Sequence, residues 1–354
     1  MFWLGVALDV LLHIVSGVCL LFYNAYLPIL TRNHPSLIEM REHVSTGDGE
    51  YILKSGKLGS SLSAKSLIFG YLAAVFQLVM SAVLIVLTGR AFWSMPVSMS
   101  FSGMWWLVFS LVSFKYLKTR PGEPLPSETN FFFFSWKSVG KTLSKLNQIP
   151  STFYFILAFF LYGDAYSTMA YVAIVFAKQE LKMTEEKLIA SAIIIPFMAF
   201  VGNFTFYFIQ RKLKLSVKSM LIITVICMAL LPLYGLFSLT NLPFGLKHDL
   251  EIFIFAGYFG LIMGALQSYS RTLYSEIIPK GCESEFFSLY AITDKGSFVG
   301  QLLVVFVEKI FGKIAFSFVV LALLLICSLP ILVWKVDVAK AKEDCRRFVI
   351  SKEQ

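Results

Sequence analysis

Residues 257–311 read GYFGLIMGALQSYSRTLYSEIIPKGCESEFFSLYAITDKGSFVGQLLVVFVEKIF. The pattern is two apolar helices joined by a short loop, with Gln267, Arg271, Asp294 and Lys295 set inside what should be hydrocarbon. A charge at mid-bilayer costs at least ~2.5–3.5 kcal/mol on insertion scales, so such residues face a partner or a watery cavity. Four polar groups on adjacent helices point to a solute path rather than a mere anchor.

The rest of the chain agrees with that setting. It has 354 residues, 57% hydrophobic and 15% charged, with 35 Phe, and its mean hydropathy is +0.73. Runs of roughly 20 apolar residues, the length a spanning helix needs, recur to the end. They fall at about 3–27, 66–89, 95–117, 151–176, 188–210, 217–239, 251–277, 285–311 and 314–336. The expected fold class is therefore an all-α integral membrane protein with about nine transmembrane helices. Peptide groups in lipid must bond internally, and the short alternating segments of a barrel do not appear. The first run is too long for a signal peptide and contains Asp9 and His13, and Pro28 is expected to end it.

A net charge of +9 invites a nucleic-acid partner, but the basic residues sit between the apolar runs. Membrane lipid is the expected partner, and no nucleic acid is. Of 31 Lys and Arg, 23 fall in loops on one side and 7 on the other. That asymmetry places the N-terminus outside and the C-terminus in the cytosol. Five cysteines without CxxC spacing imply neither disulfides nor zinc. HExxH, GxSxG and a phosphate-binding Gly-rich loop are all absent from the sequence, so no catalytic residue, metal or cofactor is expected. Asn203-Phe204-Thr205 matches a glycosylation acceptor but falls mid-span.

Residues 118–150 divide the helices, leaving 1–117 as a three-helix unit, 151–337 as a six-helix bundle and 338–354 as a cytosolic tail. Within the linker, Trp136, Val139, Leu143 and Leu146 repeat at three–four spacing, opposite Lys137, Lys141 and Lys145. The stretch reads either as a helix lying in the headgroup plane or as a solvated basic linker. Gly257, Gly260 and Gly264 form a small-residue stripe suited to close helix packing, with flexing as the alternative.

Asp164 lies about 13 residues into the fourth span, or ~20 Å from its end, near the bilayer centre. Thr168 shares its face, and Tyr162 and Tyr166 share another. Asp164 reads as a solute or proton site, or as a structural carboxylate locked to another helix. Arg271 and Asp294 lie at similar depths on antiparallel helices, so they are expected to form a structural charge pair, with Glu283 and Glu285 competing from the loop. Lys295 then needs another partner or a cavity. Asp9 and His13, four apart on one face, read as a proton relay or as a hydrogen-bonded pair holding two helices. Asn24 is a weaker polar candidate, and Glu276, Glu308 and Lys309 are expected to be solvated.

These residues also carry a resemblance. Phe22-Tyr23-Asn24-Ala25-Tyr26-Leu27-Pro28, Gly70-Tyr71, Leu161-Tyr162-Gly163-Asp164-Ala165-Tyr166 and Gln267-Ser268-Tyr269-Ser270-Arg271 run collinearly with Ile278-Pro279-Lys280-Gly281 and with Phe286 to Gly296. The set is similar to the autophagy-related protein 22-like vacuolar effluxers of the major facilitator superfamily. That resemblance implies a twelve-helix carrier of two six-helix bundles in the vacuolar (lysosome-like) membrane. It further implies export of neutral amino acids such as leucine, isoleucine and tyrosine after autophagic breakdown. Three N-terminal helices of the family have no counterpart, which implies either a start upstream of Met1 or a reduced form. The substrate or ion path is expected to use Asp164, Tyr166, Gln267, Lys295, Asp9, His13 and Asn24, with protons as candidate coupling ions. The rival expectation is a non-transporting membrane scaffold or a carrier of another small solute.

Overall fold

The computed structural model describes residues 2–44, 49–89, 93–117, 146–295 and 299–353, with isolated positions between 137 and 144. Among them the chain is helical and no strand occurs. The helices are α1 (Phe2–Arg32), α2 (Pro35–His43), α3 (Gly49–Leu87), α4 (Ser94–Tyr116), α5 (Pro150–Gln179) and α6 (Glu185–Leu213). They continue as α7 (Val217–Leu236), α8 (Asp249–Glu276), α9 (Glu283–Lys295), α10 (Val299–Phe311), α11 (Ser317–Pro330) and α12 (Val338–Glu353). Among the described residues, nine spans, with 283–311 counted as one, are long and apolar enough to cross a membrane, as the sequence predicts. Most of the amphipathic linker stretch lies outside the described residues.

Two boundaries differ from the sequence reading. Pro28 lies inside α1, which runs on to Arg32. A proline removes one backbone donor, but membrane helices tolerate the loss where neighbours re-satisfy the freed groups. The helix α3 begins at Gly49, well before the apolar run at 66. Its first turns are rich in glycine and serine, and Ser55, Gly56, Gly59, Ser60 and Ser63 are buried. Hydropathy registers lipid-facing surface, and this segment faces protein, so the apolar count missed it.

The core lies in the last six spans. Their apolar windows are 28–56% buried within the protein, whereas none of the windows in α1, α3 and α4 is. Pairing follows small residues. The helices α6 and α8 make the most extensive contact, α11 packs on α5 and α7, and α9 packs between α1 and α5. A Cβ at Gly260 would run into the Ile195 carbonyl, and one at Gly202 into the Leu261 carbonyl, so only glycine permits this approach. The predicted stripe is thus a helix seam.

One end of the bundle gathers the ends of α1, α6 and α8 and the starts of α3, α5 and α7, here called the basic face. The tail folds there as α12, with Ala341, Cys345 and Phe348 buried. Lys342 pairs with Glu276 at 3.3 Å, the Cys345 thiol donates to the Ile277 carbonyl at 3.2 Å, and the Phe348 ring meets Phe286. Glu276, expected to be solvated, is therefore buried, because the tail docks over it. Burial pushes the Cys345 thiol up to about 12. Against a free thiol near ~8.5, that lowers the thiolate fraction at pH 7.5 by more than about a thousandfold. Maleimide should therefore leave Cys345 unmodified in the folded protein, and Lys342→Ala, which loosens α12, should expose it. Mapping the alkylated cysteines by mass spectrometry checks this; labelling at the free-thiol rate would show that the helix does not dock.

Candidate functional site

The polar residues singled out by sequence fall into three groups. The first centres on Asp164 of α5, which is 1% exposed. Its Oδ2 accepts from the Gly300 amide of α10 at 2.5 Å, while Oδ1 has no hydrogen-bond partner. Thr168, one turn on, is fully buried, and its hydroxyl lies beside the same carboxylate. A Cβ at Gly300 would lie 2.8 Å from the Thr168 hydroxyl and 3.0 Å from Asp164 Oδ2. Glycine there lets α10 present its backbone to the carboxylate. The carboxylate is thus held by one amide and stands beside one hydroxyl, both neutral groups, deep inside the protein.

The second group strings together four helices. The Tyr71 hydroxyl of α3 donates to Gln267 Oε1 of α8 at 2.7 Å. Gln267 also stands beside Tyr166 of α5, and the Tyr166 hydroxyl donates to Asp294 Oδ1 of α9 at 3.3 Å. Tyr162, one turn before Tyr166, donates to Ser270 of α8 at 2.9 Å. Two expected path residues, Gln267 and Tyr166, are thereby brought together with Asp294, which was expected to pair with Arg271. The α9 helix ends at Lys295, whose side chain lies outside the described residues.

The third group corrects an expectation. Arg271, 5% exposed, does not pair with Asp294. Its Nη1 donates to Asn24 Oδ1 of α1 at 3.3 Å, and its Nη2 donates to the Ser63 and Ser66 hydroxyls of α3 at 3.0 and 2.6 Å. Nε reaches Ser63 at 3.2 Å, and the guanidinium carbon stands 4.9 Å from the Tyr23 ring centroid. The depth match between Arg271 and Asp294 assumed that α8 and α9 run side by side. Instead α9 turns away to pack on α1 and α5, which aims its carboxylate at Tyr166. Glu283, the expected competitor, is taken by Arg32 at 2.5 Å. The planar fork of an arginine suits three oxygens on two helices, so Arg271 ties α1 and α3 to α8.

Asp9 and His13 stand apart. Their side chains are 68% and 74% exposed on the outer surface of α1, with the ring nitrogen 2.9 Å from the Asp9 carbonyl and 3.6 Å from its carboxylate. They pair with each other and touch neither of the central groups. Sequence reasoning missed Ser63 and Ser66 as partners of Arg271. The signal was present in the run of small polar residues from Ser55 to Ser66, but serine is too common to stand out without a partner in view.

Ion pairs and hydrogen bonds tie the helix ends together on the basic face. Arg32 also donates to the Ile278 carbonyl at 2.8 Å, and Arg41 donates to the Arg32 carbonyl at 2.8 Å. With Arg32–Glu283 and Lys342–Glu276, these bonds join the ends of α1 and α8, the start of α9 and α12. At the opposite end, every α1 side chain described between residues 3 and 16 is exposed.

Comparison with known proteins places the chain. Autophagy-related protein 22-1 of Penicillium rubens is 31% identical, the match covering 94% of this chain and 66% of that protein. Autophagy-related protein 22 of Coccidioides immitis is 28% identical over 98% of this chain and 64% of its own length. The chain thus spans slightly less than two thirds of these curated relatives. Among solved structures, a bacterial homologue of the iron transporter ferroportin in an outward-facing state aligns at 15% identity. The TM-score is 0.47, with 90% of this chain and 81% of that one covered. Residues 1–346 match the family described as vacuole effluxer Atg22 like, and the chain belongs to that family.

Proposed function

We propose that the protein is a secondary carrier that moves neutral amino acids, such as leucine, isoleucine and tyrosine, from a vacuole-like lumen to the cytosol. The basic face is then cytosolic, as the distribution of Lys and Arg suggests. The observation that carries this reading is Asp164, a carboxylate buried near the middle of α5 whose partners, the Gly300 amide and the Thr168 hydroxyl, are both neutral. A buried carboxylate held only by neutral groups at that depth suits a site that receives an ammonium group or a proton. The Tyr71–Gln267 and Tyr166–Asp294 pairs lie across α3, α8, α5 and α9 and supply further polar groups for a solute.

Family membership supports the effluxer class, and the ion pairs across the basic face are contacts that an alternating-access cycle could break and remake. The scaffold reading draws on the apolar faces of α1, α3 and α4, which the chain leaves uncovered. Flux separates the two. Proteoliposomes holding the full chain should move leucine, isoleucine and tyrosine faster than empty liposomes, and faster with an inward-acid gradient if protons couple. Well-folded protein without flux would favour the scaffold.

A further inference from the structure

A cavity of about 240 Å³ opens on the basic face, between the last turn of α1, the start of α3, the end of α8 and the docked α12. Four cations line it, Arg32, Lys280, Lys342 and Arg346, and beside them lie the apolar Pro28, Val349 and Ile350. One water occupies about 30 Å³ in the liquid, so the space admits a group several times that size. Three of the cations keep accessible surface. Lys280 is exposed, the Arg346 side chain is 47% exposed and that of Arg32 is 18% exposed.

Carboxylates are unevenly shared among them. Glu276 takes Lys342, Glu283 takes Arg32, and Glu343 lies 3.8 Å from Arg346. Lys280 has no side-chain hydrogen bond or ion pair among the described residues, and it stands in the field of several like charges. Partial desolvation, then the guanidiniums of Arg41, Arg32 and Arg346, hold its ammonium below the usual lysine range, against the pull of Glu283. Arg41 is fixed in that company by its 2.8 Å bond to the Arg32 carbonyl. An anion at Lys280 would relieve this repulsion. The surroundings say which kind. The α1 helix exposes Phe22 and Leu30 at this end, a surface that lipid tails cover, so the cavity stands at headgroup level. A fully soluble anion gains nothing from Pro28, Val349 and Ile350, whereas a phospholipid joins a phosphate to an apolar body.

We propose that this cavity seats an anionic phospholipid of the leaflet on the basic face, with its phosphate between Lys280 and Arg346 and its apolar end towards Pro28, Val349 and Ile350. The lipid then ties α12 to the loop after α8 and steadies the docked tail. Such a seat serves a carrier and a scaffold alike.

The test reads Lys280 itself. The full chain in phosphatidylcholine nanodiscs is acylated with a water-soluble N-hydroxysuccinimidyl acetate, and modification of each lysine is followed by mass spectrometry. Lys214, exposed just past α6 on the same face, reports the general effect of surface charge. With about one lipid in five exchanged for phosphatidic acid, modification of Lys280 should slow at least about fivefold relative to Lys214, as ligand linkage requires. Inorganic phosphate added to the plain discs should not reproduce this. Arg346→Gln should remove the protection, whereas Arg347→Gln, an equal loss of charge one residue on, should keep it. Arg346→Lys, which restores the cation, should bring it back. Equal slowing of Lys280 and Lys214, a like effect of inorganic phosphate, protection that survives Arg346→Gln, or protection lost in Arg347→Gln or Arg346→Lys overturns the proposal.

Discussion

Leucine at position 264 should leave no monodisperse protein in detergent, whereas Gly257→Ala should melt within about two degrees of the parent. A Cβ at Gly264 would enter the Ala199 carbonyl and come within 2.7 Å of Asn203 Nδ2. At Gly257, the same atom would meet only the Ile194 and Met198 side chains, at 3.7 and 3.8 Å, which is ordinary contact. A side chain can rotate away, but a helix carbonyl cannot. The ~1–3 kcal/mol typical of an overpacked core is therefore a lower bound for Gly264→Leu. Every larger residue would also separate α6 from α8 along the seam that Gly202, Gly260 and Gly264 share. Size-exclusion profiles and thermal melting read the outcome. A Gly264→Leu protein with the parent's melting temperature would mean that the two helices do not meet as described.

Asp164→Asn should cost at least about tenfold in amino-acid flux at an unchanged melting temperature, equivalent to about 1.4 kcal/mol at the barrier. Asparagine keeps an oxygen for the Gly300 amide, so the tie between α5 and α10 survives. It removes the negative charge and puts an amide NH₂ in the place of Oδ1. Asp164→Ala differs in kind, because it strands the Gly300 N–H in the interior. That variant should lose about 1–3 kcal/mol of stability as well. Comparing the two separates a transport role from a structural one. Parental flux in Asp164→Asn would assign the carboxylate to packing.

Much of the fold is legible without coordinates, because lipid makes a single demand of every span. Roughly twenty apolar residues read as a helix wherever they occur, and all nine candidate spans stand where the runs fall. The extra turns of α3 escaped because glycine and serine facing protein look like loop to a hydropathy count. The continuation of α1 through Pro28 escaped because local propensity says that a proline stops a helix, and tertiary neighbours overrule it.

The candidate site divides along the same line. The types and depths of Asp164, Gln267, Arg271 and Asp294 follow from the one-dimensional argument that polar groups in hydrocarbon need a reason. Their partners do not, since a helix fixes the direction of a side chain only relative to its own axis. Which neighbour stands in that direction depends on how the helices pack. The turn of α9 onto α1 and α5 gave Asp294 to Tyr166 and left Arg271 to Asn24, Ser63 and Ser66. The docking of α12 turned Glu276 from a solvated helix end into a buried one. Sequence alone determined a nine-span helical membrane chain with charges at mid-depth, because burial in lipid is a property of composition and length. Tertiary structure alone decided which charges meet and which oxygens remain unpaired, because those depend on rotations and approaches between helices distant in the chain.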